Sequence, residues 1–200
     1  MKTGEVLYKN QMDYLTAEKI IKYGLEMDIM VEVFTNGRAY TLKRYMTELV
    51  EYGVNPRFTE WLKDTRETVE SFSDILNNDS TIENINLIFS DMDKRDEMRK
   101  YLLACPDVEL TNSIVNNLEV GVKNCSKGAT LEILAEMLGT DMSRVMCLGD
   151  NDNDCDMLKR AGISIGMENG QDCVKHGVTY VAKNNNADGF AEAVYKFALE

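Results

Sequence analysis

Residues 149–154 read Gly149-Asp150-Asn151-Asp152-Asn153-Asp154, three carboxylates and two amides crowded behind a glycine. Carboxylates packed so closely repel one another unless a cation neutralises them. Oxygen donors of this kind suit Mg²⁺, which takes one or two protein carboxylates and leaves room for substrate oxygens. Asp150 and Asp154 stand four apart across a strand-to-helix turn, so both can face one ion. They are the candidate metal ligands. Two other readings stay open at this point. Asp152 or Asn153 can simply cap the next helix, and Asp-x-Asp-x-Asp can open a calcium loop. The calcium reading lacks a glycine at the sixth position and a glutamate at the twelfth.

The second chemical candidate is Ser126-Lys127-Gly128-Ala129. A lysine in the first turn of a helix opposes the helix dipole, so something should compensate for it. Its ammonium could reach an anion held by a metal, or it could be a solvated surface side chain. Nucleophilic catalysis of the Ser-His-Asp or Cys-His kind would have to use His176, the single histidine, which sits in a polar turn beside Lys175 and Gly177. That chemistry is not expected. Cysteines stand at 105, 125, 147, 155 and 173 without a Cys-x-x-Cys pair. By spacing they predict reduced, structural thiols and no zinc site.

The elements that must position these residues fall into two styles. Up to about residue 122 the pattern is α+β. The spacing predicts a helix over 16–26 with Thr16 as its cap, then an apolar strand over 29–34. Asn36-Gly37 follows as a hairpin signal. Residues 69, 72, 75 and 76 are spaced as on a helix, until 77–80 (Asn-Asn-Asp-Ser) break the pattern. A strand over 82–89, a helix over 93–105 ending at Pro106, and two strands within 108–122 complete an antiparallel sheet with helices on one face. From residue 126 short apolar strands alternate with helices. Helices are predicted over 127–138, 152–160, 171–175 and 188–199, with strands over 145–148, 163–166 and 178–181, the rhythm of parallel βαβ units. Ligands of such sheets sit beyond the carboxyl ends of the strands, where 149–154 lies.

Composition bounds the partners. The 200 residues are 44% hydrophobic and 28% charged, ordinary for a chain that fills a core. Lys and Arg total 22 against 34 Asp and Glu, a formal charge of −12. Such a field repels phosphate backbones, and the one basic stretch, around Lys94-Arg95 and Arg99-Lys100, is interleaved with acids, so no nucleic acid is expected. The apolar runs are far shorter than the roughly 18–20 residues of a membrane span, and the first residues lead into no signal-peptide core. The expected location is the cytoplasm.

Taken together, these residues resemble the Cof-type phosphatases of the haloacid dehalogenase superfamily. The likeness lies in 126–129, in 149–154, in 157–162 (Met-Leu-Lys-Arg-Ala-Gly) and in 165–170 (Ile-Gly-Met-Glu-Asn-Gly). It extends through Val174-Lys175 and 186–190, and upstream through 113–120 and Phe34-Thr35-Asn36-Gly37. The resemblance implies a partial Rossmann-like parallel core plus an α+β cap with an antiparallel sheet. Residues 10–122 would form the cap that selects substrate, and 1–9 with 123–200 the C-terminal half of the core. It implies an Mg²⁺-dependent phosphatase of small phosphorylated metabolites. Lys127 matches the phosphate-holding catalytic lysine, Asn153 the substrate-contacting amide, and Asp150 and Asp154 the metal carboxylates. A lysine and a cation would lower the barrier to attack on a dianionic phosphoryl group.

One departure matters. The family's nucleophile motif, an apolar strand followed by Asp-x-Asp-Gly-Thr, is missing. The nearest substitute is Asp91-Met92-Asp93 after the apolar run 85–89, but Lys94 and Arg95 replace Gly-Thr, and it lies only 34 residues before Lys127. Those acids are expected to start a helix. The chain is therefore expected to be an inactive or incomplete enzyme, or else a non-catalytic module that binds a phosphometabolite or a protein. The strand at 145–148 would keep an open edge, inviting self-association or pairing with a complementary segment.

Overall fold

The computed structural model describes residues 6–199. Met1–Glu5, part of the segment read above as free of a signal-peptide core, lie outside the described residues. No helix among the described residues is long and apolar enough to cross a membrane. The chain divides into two compact units, 6–123 and 124–199, and residues 6–9 group with the first.

In the first unit β1 (Met12–Asp13) pairs antiparallel with β5 (Thr81–Ile82). Helix α1 (Tyr14–Glu26) starts two residues earlier than its spacing suggests. Asp13, not Thr16, is the cap: its carboxylate accepts both the Thr16 N–H at 3.0 Å and the Thr16 hydroxyl at 2.8 Å. Strands β2 (Met30–Thr35) and β3 (Arg38–Leu42) form the expected hairpin. Asn36 and Gly37 take φ of 54° and 70°, the left-handed pair that a two-residue turn requires. Helix α2 (Thr59–Thr65) is followed by β4 (Glu67–Val69), β6 (Asn84–Ile88), α3 (Met92–Leu103), β7 (Val108–Thr111) and β8 (Asn117–Val122). The sheet runs β4-β3-β2-β6-β8-β7, antiparallel throughout except for the parallel pair β3–β4.

The helical spacing at 69–76 does not produce a helix. Val69 ends β4, and a single 3₁₀ turn, Phe72–Asp74, follows under a Ser71 capping box. Phe72 and Leu76 are nevertheless buried in the core. Burial accounts for those apolar positions, and pairing of β4 with β3 overrides the local period. Asp91 behaves as expected of a helix start: its carboxylate accepts the Asp93 N–H at 2.8 Å and caps α3.

Strand alternation then sorts the sheet into two faces. Val31, Val33, Ile85, Leu87, Leu118 and Val120 join Ile20 and Ile21 of α1 and Met98 and Leu102 of α3 in one buried cluster. Their neighbours Glu32, Asn86 and Glu119 fall on the other face and are brought side by side by the strand register.

The second unit opens with α4 (Lys127–Met137), capped by Ser126, whose hydroxyl accepts the Ala129 N–H at 3.0 Å. Strands β9 (Met146–Gly149), β10 (Ile163–Met167) and β11 (Tyr180–Ala182) form a parallel sheet in the order β11-β10-β9. Helices α5 (Cys155–Arg160) and α6 (Gly189–Val194) provide the alternation. A parallel sheet in one unit and a largely antiparallel one in the other is the architecture expected of this chain. Among the described residues β9 pairs with β10 alone, so its outer edge is open.

The helix expected from Asp152 begins as a 3₁₀ turn, Asp152–Asp154, before α5. Its cap is Asn151, not Asp152 or Asn153. The Asn151 amide oxygen accepts the Asp152 N–H at 2.9 Å, and Asp154 reaches back to the Asn151 N–H at 3.2 Å.

Candidate active site

The second unit brings Ser126-Lys127 and the acidic turn together at the carboxyl end of β9. Gly149 ends that strand, and a Cβ placed there would lie 2.5 Å from the Asp154 Cβ. Only a residue without a side chain lets Asp154 fold back beneath the turn. Asp154 is buried, and both its carboxylate oxygens are used. Oδ2 accepts the backbone N–H of Asp150 at 3.0 Å and of Asn151 at 3.2 Å, while Oδ1 accepts the Lys127 ammonium at 2.5 Å. This contact is the compensation that a lysine in a first helical turn calls for. Lys127 is half exposed, at 51% of its side chain, so its ammonium also faces solvent.

Asp150 is exposed, and its carboxylate makes no hydrogen bond or ion pair among the described residues. Asn153 is half-buried, and its amide likewise makes no hydrogen bond among the described residues. The turn itself is fixed from behind. The Asp150 carbonyl accepts the Gln171 N–H at 2.9 Å, and the Gln171 amide donates to the Asn151 side chain.

Sequence reading missed the residues that hold Lys127 in place. The Ser126 hydroxyl donates to Asp156, and Asp156 accepts Arg160 Nε at 3.0 Å. Arg160 in turn reaches Glu132 of α4 at 2.6 Å. The start of α4 is thereby tied to α5. The available signal was the spacing of Asp156 and Arg160, four apart on one helix; Ser126 stood in the motif 126–129, but nothing local points to Asp156 as its partner. Burial acts to raise the Asp156 carboxyl, but the Ser126 hydroxyl and the Arg160 guanidinium outweigh it and hold it below the usual carboxylate range. A carboxyl lowered on folding contributes stability that is present above its unfolded pKa and is lost as pH falls through its folded one. Asp156→Asn is therefore expected to lower stability at neutral pH and to flatten the stability loss below about pH 4. Thermal melts from pH 7 to pH 3 check this; parallel curves for the two proteins would count against it.

The Cys155 thiol, next to Asp154, is held protonated more firmly than an ordinary thiol. Burial, and then the neighbouring Cys173 thiol, push it up to about 12.

The first unit holds a groove of its own, of about 670 Å³, lined by Phe34, Phe58, Trp61 and Val115 among others. Its floor is the polar row noted above. Glu32, wholly buried, accepts Arg66 Nε at 2.6 Å and Asn86 Nδ2 at 2.7 Å, and the Asn86 amide oxygen accepts Asn117 Nδ2 at 2.9 Å. The Arg66 guanidinium lies 4.7 Å from the Trp61 ring centre. The signal for this floor was a glutamate inside an apolar strand, Val31-Glu32-Val33, which nothing in the local pattern explains.

A family model for haloacid dehalogenase-like hydrolases matches residues 1–194. The chain belongs to this family. It is 38% identical over 109 residues to the 5-amino-6-(5-phospho-D-ribitylamino)uracil phosphatase YcsE of Bacillus subtilis, covering 54% of this chain and 44% of that protein. It is 43% identical over 82 residues to a phosphoglycolate phosphatase of Methanobrevibacter smithii, covering 41% of this chain and 35% of that protein. The chain thus matches less than half the length of either curated relative. A solved haloacid dehalogenase-like hydrolase of Bacillus subtilis superposes with a TM-score of 0.84 at 22% identity, over 98% of this chain and 74% of that one. That likeness establishes a haloacid dehalogenase-like fold.

Proposed function

We propose that this chain carries the cap and the later part of the core of a Cof-type phosphatase, one acting on small phosphorylated metabolites with Mg²⁺. In this reading residues 10–122 are the cap, and 1–9 with 123–200 belong to the core. The observation that carries it is the Lys127–Asp154 contact at the end of β9, which sets an ammonium group beside a carboxylate turn.

The donors there fit a hard divalent cation. Asp150 offers an exposed carboxylate with no competing partner among the described residues, and Asp154, whose Oδ2 already accepts two N–H groups, keeps one lone pair on Oδ1 beside Lys127. One or two carboxylates, completed by water and phosphate oxygens, are a usual Mg²⁺ set. Bound there, Mg²⁺ supplies positive charge to the phosphoryl oxygens. Lys127 holds a phosphoryl oxygen through its exposed ammonium, Asp154 aims that ammonium, and Asn153 donates its amide to phosphate.

The 200 residues contain no Asp-x-Asp followed by Gly-Thr, and Asp91-x-Asp93 caps a helix of the first unit. This favours binding without turnover for this chain on its own. The open edge of β9 supports pairing with a further strand, from a second copy or a complementary segment.

Inorganic phosphate, titrated calorimetrically with and without Mg²⁺, tests the reading. Binding is expected to depend on Mg²⁺, to weaken about tenfold to a hundredfold in Lys127→Ala, and to lose its Mg²⁺ dependence in Asp150→Ala. Hydrolysis of p-nitrophenyl phosphate is expected to stay near background. Phosphate binding indifferent to Mg²⁺ and to Lys127 would overturn the site. Brisk hydrolysis that disappears in Asp91→Asn would overturn the assignment of Asp91 as a cap alone.

A further inference from the structure

Beside the carboxylate turn, and not used by it, one carboxylate and two thiols converge. The side-chain ligand atoms of Asp152, Cys155 and Cys173 all lie within 4.8 Å of one another. Asp152 stands in the 3₁₀ turn 152–154, Cys155 opens α5, and Cys173 stands in a separate 3₁₀ turn, Asp172–Val174. The Cys173 thiol already leans on Asp152 Oδ1 at 3.9 Å.

The two walls of this cluster are held in register by bonds that do not involve the three ligand atoms. The Gln171 N–H donates to the Asp150 carbonyl at 2.9 Å, and the Gln171 amide donates to Asn151. The Lys175 ammonium, two residues after Cys173, is paired with Asp172 at 3.1 Å. Asp152 and Cys173 are exposed and Cys155 half-buried, so an ion can enter from solvent.

We propose that Asp152, Cys155 and Cys173 form a second cation site, which takes a thiophilic divalent ion such as Zn²⁺ or Cd²⁺ and not Mg²⁺. Two sulfurs and one carboxylate oxygen are a soft donor set, whereas Mg²⁺ prefers oxygen alone. Tetrahedral Zn²⁺ with bonds of about 2.3 Å to sulfur needs the two sulfurs about 3.8 Å apart. With every pair of ligand atoms within 4.8 Å, closing the two sulfurs to that separation takes at most about 1 Å of side-chain movement. Water completes the fourth position. The two thiol protons leave to solvent as the thiolates bind, so the ion replaces them charge for charge. The bound ion clips the turn 151–155 to the turn 171–174.

The probe is Cd²⁺ alone, added to the intact, freshly reduced chain and read by the ultraviolet thiolate-to-cadmium charge-transfer band and by calorimetry. One equivalent is expected to bind, with excess Mg²⁺ unable to displace it. Cys173→Ser, at an exposed position, is expected to cut the band by half. It should also weaken binding at least tenfold, the lower end of what even an outer partner of a metal site costs. Asp152→Asn should weaken binding and leave the band intensity unchanged, because it removes the oxygen and neither sulfur. Cys105→Ser, in the first unit, should change nothing. The proposal is overturned by absence of the band in the reduced chain, by a band intact in Cys173→Ser, or by one lost in Cys105→Ser.

Discussion

Arg66→Ala is expected to destabilise the first unit by about 3 kcal/mol, because it strands a buried charge. Glu32 has none of its side chain exposed, and Arg66 only 10%. The pair meets at 2.6 Å, with Asn86 donating to the second carboxylate oxygen at 2.7 Å. Without the guanidinium, the buried Glu32 carboxylate keeps a single neutral donor, Asn86. The stacking of Arg66 on Trp61 and Phe34 is lost as well. The expected cost is therefore that of an uncompensated charge and not of one hydrogen bond. Two companions separate these causes. Adding Glu32→Gln to Arg66→Ala should recover much of the loss, since the charge is gone. Replacing the pair together with Leu and Met should come close to neutral, as buried pairs exchanged for apolar residues often do. Trp61, the chain's single tryptophan, lies against Arg66, so urea unfolding followed by its fluorescence reports on this unit. A loss below about 1 kcal/mol would mean that the pair behaves as a surface ion pair.

Asp154→Ala is expected to have the next largest effect, about 2–4 kcal/mol, from losing the acceptor of two backbone N–H groups. Lys127 contributes little to that figure, because its side chain is half exposed and solvent screens the pair. Lys127→Met should accordingly cost under about 1 kcal/mol while abolishing the ammonium. The contrast is the test: stability follows Asp154, and phosphate binding in the proposed function follows Lys127. Amide hydrogen exchange resolves it, with Asp154→Ala expected to open residues 149–155 more than the rest of the second unit. Equal exchange in both variants would show that the buried carboxylate does not hold the turn.

Neighbouring residues already encode much of this protein. The Asn36-Gly37 hairpin, the change of style near residue 123 and the order of elements in the second unit all follow from short-range pattern. Strand period, helix period and turn chemistry act within a few residues, so a linear chain displays them. The likeness of 126–129 and 149–154 to a known family was legible for the same reason. Where local preference met competition, it misled. Thr16 lost the cap to Asp13, Asp152 lost it to Asn151, and the helical period at 69–76 gave way to a strand and one turn.

Three arrangements emerged only on folding. Lys127 meets Asp154 across 27 residues, Arg66 meets Glu32 across 34, and Cys173 approaches Asp152 across 21. No rule of spacing in the chain links such partners, because what brings them together is the packing of separate elements. Five cysteines without a Cys-x-x-Cys spacing predict no zinc site, yet the fold sets two of them beside a carboxylate. Asp154 illustrates the division most plainly: its position beside the site was readable from residue order. Its commitment to two backbone N–H groups and a lysine was not, because burial beneath Gly149 decides which donors its two oxygens can reach.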